Sequence, residues 1–91
     1  MKYDYLTPKA IAVLIDILDQ GGEVVGFRDM SQRLNINYHA LKTVLMHLEY
    51  NDLITRDSGP NNIMIIRLTP KGRKAAEILK QLLEVLEGDH A

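Results

Sequence analysis

Ninety-one residues make one small domain, which buries only about 60 to 65% of the surface its unfolded chain exposes, so a deep substrate pocket would compete with the core for apolar side chains. Hydrophobic residues at 46% and charged residues at 25% are ordinary for a folded soluble chain, and the lack of cysteine excludes disulfides, thiolate metal sites and cysteine nucleophiles. The net charge of −1 hides two positive blocks, residues 28–48 at +2 and 58–80 at +4, which suit a basic patch on an acidic body rather than a uniformly basic coat.

The first apolar run, Ala10 to Ile15, is broken by Asp16 and lacks both a basic leader and a small-residue cleavage site. Neither a secretory signal nor a membrane span of about twenty apolar residues is expected, and a cytoplasmic location follows as an expectation. Thr7-Pro8 starts a helix, because the hydroxyl caps free amides and proline at the first helical position sacrifices no hydrogen bond. Ile11, Leu14, Ile15 and Leu18 form one stripe, and Val13 and Ile17 add a second strip that calls for a second partner. Gly21-Gly22 ends the helix. Glu23 to Val25 reads as a minimal strand, and Phe27 to Leu34 as a short helix burying Phe27, Met30 and Leu34. Asn35-Ile36-Asn37 is a turn, with Asn37 capping a third helix that runs to about Asn51. Leu53 to Asp57 and Ile63 to Thr69 read as a hairpin around Ser58-Gly59-Pro60-Asn61-Asn62. Thr69-Pro70 repeats the helix-start logic and opens a last helix to about Glu87.

In the third helix Leu41, Val44, Leu45 and Leu48 recur at core spacing, which leaves Tyr38, His39, Lys42, Thr43 and Met46 outward. A short helix, a three-residue turn and such a helix form a helix-turn-helix, whose second helix fits a major groove about 12 Å wide. Lys42 suits guanine edges or phosphate, His39 and Thr43 suit base edges, and Tyr38 a phosphate, with Asn37 at the helix start. Arg28 and Arg33 flank the preceding helix, where DNA backbone would pass.

At residues 48–72, LEYNDLITRD followed by IRLTPKG resembles the wing region of MarR-type and PadR-type transcription regulators, in Leu48, Glu49, Leu53, Ile54, Arg56, Leu68, Thr69, Pro70, Lys71 and Gly72. The resemblance extends over residues 7–75 and implies an α+β winged helix: a helix-turn-helix core, a β-hairpin wing over 53–69 and a C-terminal dimerisation helix over 70–87, all within one domain of residues 1–91. The function it implies is sequence-specific binding of double-stranded DNA, with the recognition helix 38–50 in the major groove and the wing on the flanking backbone. MarR-type wings commonly carry Asp-x-Arg near the tip, where this chain has Pro60-Asn61-Asn62. Arg56 and Arg67 on the wing strands and Asn61 and Asn62 at its tip are the candidates left for DNA contact.

The last helix carries a wide apolar band that a chain this short cannot cover alone. Ala75, Ile78, Leu79, Leu82, Leu83 and Leu86, with Val13 and Ile17 of the first helix, are therefore expected to meet a second copy across a two-fold axis. Lys71, Arg73 and Lys74 sit at the start of that helix, against its dipole, for which nearby DNA is one reason and carboxylates on a partner are another. His39, His47 and His90 have no metal-ligand spacing, no phosphate-binding glycine loop is present, and Ser31 and Ser58 have no neighbouring base, so no cofactor, metal or catalysis is expected. The sequence names no small-molecule effector. The competing reading is a winged-helix module that binds protein in a larger assembly, which the near-neutral charge and a wing tip without arginine favour.

Overall fold

The computed structural model of the chain describes residues 1 to 88; His90 lies outside them. The elements follow the order α1 (Pro8–Asp19), β1 (Glu23–Val25), α2 (Arg28–Leu34), α3 (Tyr38–Tyr50), β2 (Ile54–Ser58), β3 (Met64–Leu68) and α4 (Pro70–Gly88). The strands form one antiparallel sheet in the order β1-β3-β2, with Val24 opposite Ile66 and Arg56 opposite Ile66 on the other side. This is the α+β winged helix that the sequence implied. No described helix is long and apolar enough to cross a membrane.

The helix starts are built as their sequences dictate. The Thr7 hydroxyl accepts from the Ala10 amide at 3.2 Å, and the Thr69 hydroxyl accepts from Gly72 at 2.9 Å while donating to the Asp52 carbonyl at 2.7 Å. Thr69 thus caps α4 and ties it to the bend between α3 and β2. Gly72 makes that join close: a Cβ there would run into the Leu53 carbonyl. The glycine in Leu-Thr-Pro-Lys-Gly is there because a backbone passes over it.

α1 lies at the centre, packed against all three other helices and against β1 and β3. Val13, Leu14 and Ile17 are fully buried among Met30, Leu41, Leu45, Leu48, Ile54, Ile66 and Ala76. The expectation that Val13 and Ile17 would face a second copy is therefore corrected: they point into their own protomer. Ala75 and Leu79 of α4 are half-buried against the same core, so they too serve the protomer first.

Asp16 is the one buried charged residue among those described, and Arg33 meets it with a fork, Nε to Oδ1 at 3.0 Å and a terminal nitrogen to Oδ2 at 2.8 Å. The hydrogen bonds that Arg33 donates to Asp16 hold its guanidinium above the usual arginine range. Arg33, expected on DNA, is instead the tie between α1 and α2, because a carboxylate in an apolar setting requires a matched donor. Arg33→Ala should lower stability by about 1–3 kcal/mol, less than in a dry site because the guanidinium is partly solvated. Urea unfolding of Asp16→Ala, Arg33→Ala and the double variant checks this: the double loss should fall below the sum of the singles.

Candidate nucleic-acid interface

The turn between α2 and α3 is fixed from both sides. Asn35 adopts the left-handed conformation at φ 53°, Ile36 is buried and donates its amide to Ser31 O at 3.1 Å, and the Ser31 hydroxyl donates back to Ile36 O at 2.5 Å. Asn37 then caps α3, its Oδ1 accepting from Ala40 at 2.9 Å. Its side chain is thereby engaged in the fold.

Leu41, Leu45 and Leu48 are buried and Val44 half-buried, which turns His39, Lys42, Thr43 and Met46 to solvent as their spacing required. Tyr50 belongs to the same face and was missed. It follows Met46 by four residues and His39 by eleven, a spacing that could have found it, and it is 89% exposed. Tyr38 leans away from this face toward α2: its ring lies 4.9 Å from that of Phe27, and His39 meets it edge-on at 5.7 Å. Phe27, Arg28, Gln32 and Tyr38 on one side and Asn62, Ile63 and Met64 on the other bound a groove of about 780 Å³ between the helices and the wing.

Charge is distributed unequally over these parts. Arg56 closes a fork on Glu49 Oε1 at 3.0 and 2.7 Å, bracing the wing against α3. Arg67 binds Glu23 Oε1 at 2.6 Å and lies 3.5 Å from Asp57 Oδ2, joining all three strands. Both wing arginines, expected on phosphate, are held by carboxylates of their own chain. Arg28 and Lys42 are exposed and make no ion pair among the described residues. The second basic block is partly explained as well. The Lys71 ammonium donates to Asn51 O at 3.4 Å, at the C-terminal end of α3 where its dipole favours a cation, and the Arg73 guanidinium lies over Gly22.

At the wing tip Pro60–Asn62 form a short 3-10 turn, closed by Gly59 N–H to Ile63 O at 2.6 Å. Asn61 and Asn62 both take positive φ, 59° and 61°, which asparagine tolerates and branched side chains do not.

No protein-family model and no curated protein matches the chain. Solved structures do, at low identity. ZitR from Lactococcus lactis aligns with a TM-score of 0.81 at 19% identity, over 93% of this chain and 57% of its own. AF1382 from Archaeoglobus fulgidus aligns at 0.77 and 20%, over 96% and 98%. A MarR variant from E. coli complexed with operator DNA aligns at 0.76 and 22%, over 92% and 61%. The class these likenesses define is the winged helix, and the resemblance carried by residues 48–72 holds at the level of that fold. The chain spans 57% of ZitR and 61% of MarR.

The tip geometry yields a stability test. Asn61→Val should cost about 1–2 kcal/mol, whereas Asn61→Gly should stay within about 0.5 kcal/mol, as read by urea unfolding.

Proposed function

We propose that the chain is a transcriptional regulator that binds double-stranded DNA sequence-specifically as a homodimer, in the cytoplasm. The observation that carries this is an exposed α3 face, His39, Lys42, Thr43 and Met46, on which Lys42, and beside it Arg28, make no ion pair among the described residues. Every ion pair elsewhere on the helix-turn-helix and wing cancels charge; the helix face keeps its own. The likeness to a MarR variant solved with operator DNA supports the same reading.

In this reading the side chains of α3 lie along base edges in the major groove, Lys42 donating to a guanine or a phosphate and Met46 offering apolar contact to a thymine methyl. Arg28, at the start of α2, meets the backbone. Asn61 and Asn62 at the wing tip supply neutral donors, so the wing contributes little to the electrostatic part of binding. No effector is part of the proposal.

Dimerisation is assigned to α4 alone. Ile78, Leu82 and Val85 are half to two-thirds exposed and share one stripe, turned away from the Gly72 and Ala76 side that packs on the protomer, and Leu86, two turns beyond Leu79, is exposed as well. Two copies joined along that stripe would present two α3 helices to half-sites about 34 Å apart.

One observation favours a protein-binding module instead: both wing arginines are paired with carboxylates, and the wing borders a groove containing Phe27, Ile63 and Met64. Salt separates the two. On a duplex recovered by selection from random sequence, log affinity should fall steeply with log salt, and Arg28→Ala or Lys42→Ala should each reduce the slope by about one. Arg56→Ala and Arg67→Ala should leave it unchanged. A flat slope for the unaltered protein would assign the surface to a protein partner. For the dimer, Leu82→Glu should sediment as a monomer while keeping its helical circular dichroism; a variant that stays dimeric removes α4 as the interface.

A further inference from the structure

We propose that the segment before α1 is a second DNA-contacting element, and that the cleft between it and the C-terminal half of α3 holds backbone phosphate, with Lys2 as the cation and Tyr50 as its neighbour on α3. The inference rests on the DNA-binding reading of α3.

The segment is shaped rather than loose. The Asp4 amide donates to Met1 O at 3.3 Å and the Leu6 amide to Tyr3 O at 2.9 Å, while Tyr5 and Leu6 pack against the core. This turn stands beside α3 across a cleft of about 460 Å³, bounded by Lys2, Asp4 and Tyr5 on one side and Thr43, His47 and Tyr50 on the other. Thr43 already belongs to the proposed reading face, so the cleft continues that face without a gap.

Length decides what would lie there. From His39 to Tyr50 the helix rises about 16 Å, more than the roughly 12 Å width of a major groove. With the first turns of α3 among base edges, the Tyr50 end stands at the lip of the groove, where the next phosphates run. Tyr50 is 89% exposed with no apolar cover, which suits a phenol that meets a wet, charged partner. Lys2 is the cation the cleft can offer a phosphate: it makes no ion pair among the described residues, its ammonium 5.5 Å from the Tyr3 ring centre.

The test uses the full chain and the selected duplex. Lys2→Ala should reduce the log-log salt slope by about one, Lys2→Arg should restore it, and both should melt as the unaltered protein does, since the side chain is exposed. Tyr50→Phe, which removes only the hydroxyl, should weaken binding about two- to tenfold. A Lys2→Ala slope equal to that of the unaltered protein, with Lys42→Ala still reducing it, overturns this proposal and leaves the α3 reading standing. No change with either substitution overturns both.

Discussion

A single carboxylate buried on the central helix organises the molecule. Asp16 lies on α1 between Ile15 and Ile17, where an unpaired charge would be costly, and the fork from Arg33 is what makes it tolerable. A buried ion pair adds little net stability compared with an apolar pair, yet it is intolerant of misplacement, because a small slip strands both charges. α2 is only seven residues long and would be marginal alone. Joined to α1 by a bidentate contact and to the turn that leads into α3 by the Ser31–Ile36 exchange, it has one place to sit, and that turn sets where α3 begins.

The rest of the charge follows the same division between holding and presenting. Glu49 and Arg56 lock the wing to α3, Arg67 links β1, β3 and β2, and Lys80 reaches Asp19 at 2.5 Å to join α4 to α1. Exposed pairs of this kind contribute little to stability individually. Their effect is on the distribution of charge: cations at the wing are paired locally, whereas Arg28 and Lys42, beside the α3 face, make no ion pair among the described residues. A chain with a net charge of −1 can thus carry a positive patch, which its overall balance does not reveal.

Much of the fold was legible because its signals are local. Thr-Pro at 7–8 and 69–70, the Asn-Ile-Asn turn and the Ser-Gly-Pro-Asn-Asn tip each act through their own backbone, and each formed as read. What was not legible depends on partners far along the chain. Arg33 looked like a phosphate ligand until its partner, seventeen residues earlier, was in place. Arg56 and Arg67 read as basic for the same reason, their carboxylates lying in α3, β1 and β2. Periodicity gave the apolar strip of Val13 and Ile17 correctly but could not say what covers it; in a domain this small, α1 is surrounded on nearly every side and has no strip to spare. Tyr50 was overlooked because its position at the helix end suggested a boundary rather than a surface.

The burial of α1 leaves α4 as the element with apolar surface in excess, and its two stripes differ in kind. The inward side carries small residues, Gly72 and Ala76, which let the helix approach the Leu53 backbone and α1 closely. The outward side carries Ile78, Leu82, Val85 and Leu86, long side chains that cannot be satisfied by the helix's own neighbours and lie toward the end that leaves the body. A helix that meets its own protomer through glycine and alanine has a fixed rotation, because a larger side chain turned to the place of Gly72 would run into the Leu53 carbonyl. The same rotation fixes where a second copy would attach, and through α1 and α2 it fixes how far that attachment lies from α3.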